Sequence, residues 1–167
     1  MTAPSMSVEL FENLTESLSV RGRRRVFKAA NGAAGVHWRD KYLMRHFQSG
    51  AATRYGYARR KRSTIARKKR DADRGQALHG GRRPLVHSGR LAAAMRRLHP
   101  VRATPSKATI TLHGPRQLNI RPKAGRPNLG MEVLRVSGGE VREINQVSAD
   151  AADAEMAKSK PRKRVVK

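Results

Sequence analysis

Apolar residues recur at helical spacing through the first third of the chain, and their pattern predicts three helices. The first has Ser7 at its cap position and one apolar stripe formed by Val8, Phe11, Leu14 and Leu18. A single stripe of this kind is typical of an amphipathic helix.

The next two predicted helices are separated by Asn31-Gly32, a sequence typical of a helix end. The helix before it, over about residues 20–30, is strongly basic. The helix after it, over about residues 33–48, ends at Ser49-Gly50 and is the predicted core helix, because it has the densest aromatic content of the chain. Its large apolar residues are Val36, Trp38, Tyr42, Leu43 and Phe47.

Residues 59–83 follow the Tyr55-Gly56-Tyr57 segment and contain almost nothing to bury. We therefore predict a long, exposed basic loop, which in a small domain is either functional or disordered. Its first part, residues 59–70, can form a basic helix on binding a partner.

A short helix is predicted after this loop, over residues 89–98, with Ser88 as its cap. Leu91, Met95 and Leu98 share one face of it. The helix leads into the predicted sheet.

Two alternating runs, residues 101–104 and 107–113, predict antiparallel strands joined by a turn at Pro105-Ser106. Residues 118–121 are a candidate third strand. Residues 131–136, further along, are compatible with either a strand or a helix.

The segment Ser137-Gly-Gly-Glu140 has the pattern of a capping box. It predicts a last helix that runs to about residue 157 and has a sparse apolar face of Val141, Ile144 and Val147.

The predicted fold is α+β: N-terminal helices, a long basic loop, a short helix, a small antiparallel sheet and a C-terminal helix. We expect a single domain over residues 1–157, followed by a basic tail at residues 158–167. Within the domain, residues 33–57 hold the core helix and aromatic segment, 59–83 the loop, and 84–157 the short helix, sheet and last helix.

The net charge of the chain indicates that it binds a partner of opposite charge. The 167 residues include 37 Lys and Arg against 12 Asp and Glu, for a net charge of +25. Residues 1–20 carry −3, residues 21–97 carry +20 and residues 98–167 carry +8. A charge this large implies a polyanionic neighbour or an acidic partner surface. No apolar run approaches the ~20 residues that span a bilayer, so no membrane association is expected.

The sequence contains no recognisable catalytic, metal-binding or phosphate-binding motif. The chain has no cysteine, and its six histidines form no pair with each other or with acids at metal-ligand spacing. There is no phosphate-binding glycine loop and no nucleophile elbow, and the acids are too separated for a hydrolytic carboxylate pair. We therefore expect no enzymatic activity, no cofactor and no metal.

The basic runs are the strongest functional signal, because cations at this density can neutralise several phosphates. The predicted subunit or partner interface consists of Arg59, Arg60, Lys61, Arg62, Arg67, Lys68, Lys69, Arg70, Arg90, Lys163 and Arg164. Tyr55 and Tyr57 could stack on nucleic-acid bases, but packing beneath the loop or at a subunit boundary is the favoured interpretation.

An ordered set of motifs runs over about residues 36–145. Trp38-x-x-x-Tyr42-x-x-x-His46-Phe47 comes first, Arg54-Tyr55-Gly56-Tyr57 precedes the basic stretch, and Pro84-Leu85-Val86 leads to Ser88-Gly89-Arg90-Leu91. The set resembles tailed-bacteriophage neck and tail-completion proteins, the small head-to-tail joining and minor tail components. In those families a proline-hydrophobic-Ser/Thr-Gly-Arg-Leu element follows a basic linker and opens a short helix before a β-hairpin. The first 35 residues and the basic tail depart from the family pattern.

The resemblance implies a non-enzymatic structural protein of the virion, several copies of which form a ring, as a hexamer or dodecamer, in the neck between portal and tail. Its expected partners are other neck, portal or tail proteins, with non-specific contact to genomic DNA in the channel left open, and its expected location is the virion after assembly in the host cytoplasm. The resemblance gives structural roles to Trp38, Tyr42, Phe47, Tyr55, Tyr57, Pro84, Ser88, Gly89 and Leu91, and lets Arg90 pair with an acid of a neighbour.

Two alternatives stay open at this point. One is a non-specific nucleic-acid-binding protein of ribosomal or nucleoid type. The other is a small basic scaffold or adaptor without a channel role.

Overall fold

The computed structural model describes residues 18–78, 85–86, 88–114 and 128–159. It has the predicted α+β architecture, with helices toward the N-terminus, a small two-stranded antiparallel sheet and a C-terminal helix. In chain order the elements are α1 (Val20–His37), a π-helical turn (Trp38–Tyr42), a 3-10 turn (Leu43–Phe47), α2 (Ala51–Arg54), α3 (Arg62–Asp73), α4 (Arg90–Met95), β1 (Val101–Ala103), β2 (Ala108–Ile110), α5 (Leu129–Val133) and α6 (Gly138–Ser159).

Some predicted features lie outside the described residues. They are the first helix apart from Leu18, the candidate strand at 118–121, and the residues Pro84, Lys163 and Arg164.

The described residues form two compact units. Unit one contains residues 18–37, 101–109 and 142–159, and unit two contains the described parts of 38–100 and 110–141. Each unit joins segments that are distant in sequence. The single domain expected from the sequence stays a prediction.

In unit one, α1 packs against α6 through a small core of Val26, Ala30 and Ala152, and the partly buried Leu18 and Met156 extend this core. At the edge of this core, the Arg25 guanidinium lies 2.6 Å from the Glu155 carboxylate. Two of the three core side chains are alanines, and side chains this small let α1 and α6 approach closely.

The predicted helix end at Asn31-Gly32 is wrong, because α1 continues through both residues to His37. The Asn31 side-chain amide donates hydrogen bonds to the carbonyls of Thr104 and Pro105 at 3.0 and 3.1 Å. It therefore holds the hairpin turn instead of closing the helix. This turn joins β1 and β2 and confirms the predicted hairpin.

The core prediction for residues 33–48 is confirmed in its aromatic side chains, since Trp38, Tyr42 and Phe47 are buried. It is wrong for Val36, which is 39% exposed. The backbone also differs, because the α-helix gives way after His37 to the π-helical and 3-10 turns. The predicted end at Ser49-Gly50 is confirmed, with Gly50 at a φ of 77°.

The long loop predicted at residues 59–83 is wrong for residues 62–73, which form α3. The sequence of α3 has no apolar stripe that would predict a helix. In keeping with this, none of its residues is fully buried. Good helix formers, mainly Arg, Lys and Ala, supply its propensity instead. A half-buried edge is contributed by Thr64, Lys68, Asp71 and Ala72.

The short helix and the two strands follow the sequence prediction with shorter bounds, and the last helix, α6, runs to Ser159. The short helix α4 lies within the predicted residues 89–98, but Leu98 beyond its end is 79% exposed and does not pack. The ambiguous stretch at 131–136 begins inside the helix α5. One of the two hydrogen bonds of the predicted capping box is confirmed, because the Ser137 backbone N–H donates to the Glu140 carboxylate at 3.0 Å.

Candidate binding surface

The helix α3 and its flanking residues present a dense set of exposed cations. Residues 59–74 contain nine Lys and Arg and two Asp, for a net charge of +7. The exposed members are Arg59, Lys61, Arg62, Arg67, Lys69, Arg70 and Arg74. Arg74 was not among the predicted interface residues. Of the predicted interface residues that the structure describes, the other six and Arg90 are exposed.

The helical period arranges these cations around small residues. Opposite the half-buried edge of α3, the small residues Ser63 and Ala66 are exposed. Arg62 and Lys69 lie to one side of Ala66, and Arg70 lies to the other. This face, which is cationic apart from the exposed Asp73, can contact a polyanion or an acidic protein surface.

Lys68 is the first exception among the predicted interface residues. Its ammonium group donates to the Val86 carbonyl at 2.9 Å. Burial lowers the pKa of Lys68 to about 8, and the nearby charges of Arg60 and Arg67 act in the same direction. Lys68 therefore anchors α3 to the chain and does not reach outward.

Arg60 is the second exception, because it forms a bidentate ion pair with the buried Glu132. The two nitrogen–oxygen distances are 2.9 and 2.5 Å, and the side chains are only 13% and 3% exposed. Glu132 also accepts the backbone N–H of Ala58 at 3.2 Å. The pair ties the segment that precedes α3 to α5, so Arg60 is a structural residue.

Hydrogen bonds with charged side chains fix the Tyr55-Gly56-Tyr57 segment. The Arg135 guanidinium donates to the carbonyl of Tyr55 at 3.1 Å and to that of Gly56. The Tyr55 hydroxyl donates to the buried Glu140 carboxylate at 2.7 Å. Glu140 thus serves both as the capping acid of α6 and as an anchor for Tyr55.

His46 lies beneath these tyrosines. Its ring stacks on Tyr55 at a centroid distance of 3.9 Å, and its Nδ1 lies 2.5 Å from the Tyr57 hydroxyl. Burial lowers the pKa of His46 to about 4, although the Glu140 charge acts in the opposite direction. Tyr55 is 5% exposed and has no free face for a nucleic-acid base, so the favoured prediction of internal packing is confirmed for Tyr55.

In the segment Ser88-Gly89-Arg90-Leu91, which is part of the family resemblance, the residue that caps the helix differs from the predicted one. The cap of α4 is Gly89, at a φ of 79°, and no side chain caps this helix, so the predicted capping role of Ser88 is wrong. At Gly89 the chain is closely approached, because a Cβ there would lie 2.6 Å from Leu78 Cδ1. Leu91 is half-buried and Arg90 is exposed.

We expect Gly89→Ala to destabilise the fold by about 1–2 kcal/mol, because alanine pays for the left-handed conformation and must displace the Leu78 side chain. Chemical denaturation of the variant measures this loss. Gly138→Ala is the matched control, since a Cβ at Gly138 meets no atom within 4 Å. An equal loss in both variants would contradict the proposed strain at Gly89.

Beside α4 lies an open groove with a volume of about 630 Å³. Its lining is mostly apolar and includes two arginines: Met44, Phe47, Gln48, Leu78, Val86, Ser88, Gly89, Arg90, Ala92, Ala93 and Arg96. A second cleft shares Arg90 and Ala93 with it and adds Arg97 and His113. No carboxylate is among the described residues that line either cleft.

The sequence analysis did not identify His46, Glu132 or Arg135, which hold Tyr55 and Arg60, the residues that lead into α3. The available signal was the scarcity of acids, since each of the 12 has about three cations to pair with. Glu132 also interrupts an otherwise apolar run, Leu129-Gly-Met-Glu-Val133, where an acid is tolerated only with a buried partner.

Across the described ranges, no three His, Cys, Asp or Glu side chains are grouped so that they could hold a metal ion. In the same part of the chain, no helix combines the length and apolar character needed to cross a bilayer. Comparison of the chain with protein-family models, curated proteins and solved structures finds no match.

Proposed function

We propose that the protein is a structural virion component of a tailed phage, a ring-forming subunit of the neck that joins portal and tail around the DNA channel. The observation that carries the proposal is the helix α3, which is fixed to the chain while its cations face outward. The ordered motifs over residues 38–91 support it through their resemblance to neck and tail-completion proteins.

The internal contacts around α3 favour a docking role over a solvated charge run. Lys68 anchors the helix and Arg60 anchors the segment before it, so the exposed cations are presented on a fixed scaffold. A surface ordered in advance loses less conformational entropy on binding. This arrangement suits a permanent assembly contact.

The net charge gives the chemistry of the partner. Each copy adds +25, so contacts between copies alone accumulate positive charge. A stable ring therefore needs a polyanion or acidic protein surfaces to neutralise it. Genomic DNA in the channel and acidic portal or tail surfaces both meet this requirement.

Non-specific nucleic-acid binding is the second candidate function, and the cations on α3 favour it as well. Light scattering and negative-stain imaging with short and long duplex DNA at physiological salt separate the two functions. A neck subunit is expected to form a closed particle whose protein mass does not change with DNA length. A simple nucleic-acid binder is expected to coat DNA in proportion to length, with affinity that falls steeply with salt.

The role of α3 in either activity is tested by the triple variant Arg62→Ala/Lys69→Ala/Arg70→Ala. Loss of about three phosphate contacts is expected to weaken DNA binding by roughly ten- to a hundredfold at physiological salt. The control is Arg21→Ala/Arg23→Ala/Arg24→Ala, which removes three equally exposed cations of α1. Equal losses in the two variants would show that net charge alone, and not the α3 surface, drives binding.

A further inference from the structure

The lining of the groove beside α4 combines apolar side chains with arginines. It is lined by Met44, Phe47 and Val86, and by the half-exposed Leu78, which lies against Gly89. Arg90 and Arg96 also line it, and its described lining contains no carboxylate. An apolar ligand alone would leave the arginines without a counter-charge.

The N-terminal residues 1–17 combine acidic with apolar side chains. They hold three Glu and no Lys or Arg in a chain whose remaining residues carry 37 Lys and Arg. They also hold the apolar side chains of Val8, Phe11 and Leu14. Residues 143–157 also combine acids with large apolar residues and lack cations, but they already form part of α6.

We propose that residues 1–17 of one copy, the N-terminal arm, occupy the groove beside α4 on a neighbouring copy. The apolar side chains of the arm cover the groove floor, and its glutamates lie near Arg90 and Arg96. Exchange between copies places the acidic segment of the chain against the basic part of its neighbour. It thereby offsets the repulsion that contact between copies would otherwise meet.

This inference rests on the proposed assembly function and names the contact that joins successive copies. Such a contact is heterologous, because one surface of each copy meets a different surface of the next, and contacts of this type close into rings.

The absence of native cysteine permits a clean crosslinking test in the full chain. One preparation carries Asn13→Cys, which leaves the apolar side chains of the arm intact. A second, of different tagged size, carries Ala93→Cys at an exposed position of the groove lining. The control replaces this second chain by one with Ala154→Cys, an equally exposed alanine of α6.

After mixing and mild oxidation, we expect a disulfide between the Asn13→Cys and Ala93→Cys chains and little product with the Ala154→Cys chain. Adding Phe11→Asp to the arm should lower the yield about tenfold or more, because the apolar contact is lost. A third chain that carries both Asn13→Cys and Ala93→Cys shows whether an arm reaches the groove of its own copy. Absence of the mixed disulfide, equal yield with the Ala154→Cys control, or a disulfide only within the doubly substituted chain would overturn the inference.

Light scattering on the same samples keeps this inference separate from the proposed function. Closed particles without the mixed disulfide would refute arm exchange and leave the ring proposal standing. The mixed disulfide in open chains or simple dimers would support arm exchange and count against the ring.

Discussion

Arg60→Ala is expected to destabilise the fold by about 3–5 kcal/mol, because it leaves the buried Glu132 carboxylate without its ionic partner. Within the described ranges, the other donor to this carboxylate is the backbone N–H of Ala58. For a chain of this size, such a loss corresponds to a fall in melting temperature of roughly 10 °C. Thermal and urea denaturation measure it directly.

Two further variants identify the cause of this loss. Arg59→Ala removes an adjacent but exposed cation, and we expect it to change stability by less than about 0.5 kcal/mol. Arg60→Met combined with Glu132→Met removes both charges, so it should recover much of the stability that Arg60→Ala loses. Similar effects of Arg59→Ala and Arg60→Ala, or no recovery in the double variant, would refute a structural role of the ion pair.

The contrast between Arg59 and Arg60 shows where sequence patterns stop being informative. Both residues belong to one basic run, and composition predicts a common role for them. One lies at the surface and the other is paired inside the chain, because only Arg60 meets the carboxylate of α5. The location of that acid depends on a contact across 72 residues of sequence, which no local pattern encodes.

Elements with a local signature were predicted well. The turn at Pro105-Ser106, the helix end at Gly50 and the capping box at Glu140 each depend on residues close in sequence. The failures have tertiary causes. Asn31 continues a helix because its amide bonds two carbonyls of the hairpin turn, and residues 62–73 form a helix that has no apolar stripe to reveal it.

The candidate surface was predicted in location but not in organisation. The sequence identified the basic run, and the structure divides it into exposed cations and internal anchors. The same division applies to the tyrosines, because the buried Tyr55 is held by Glu140 and Arg135. Some cations of the basic run, such as Arg60 and Lys68, therefore make contacts inside the chain. The exposed cations are available to bind a partner.

Acidification is expected to destabilise the protein between about pH 6.5 and 4 through His46. Since burial lowers the pKa of His46 to about 4 from its ordinary 6.5, the unfolded chain binds a proton in this interval that the folded chain does not. Stability therefore falls as the pH falls, by at most about 3 kcal/mol from this residue. Burial lowers the pKa of His99 as well, so His99 contributes in the same direction.

His46→Phe isolates the contribution of His46, because phenylalanine keeps an aromatic ring beside Tyr55 and removes the titrating nitrogen atoms. We expect this variant to be less stable than the parent at pH 7, since Tyr57 loses its hydrogen-bond partner, but to lose less stability on acidification. Urea denaturation at several pH values between 7 and 4 measures both slopes, and His113→Phe serves as the exposed-histidine control. If His46→Phe keeps the full acid slope while His113→Phe reduces it, the buried imidazole is not the group that couples folding to protons.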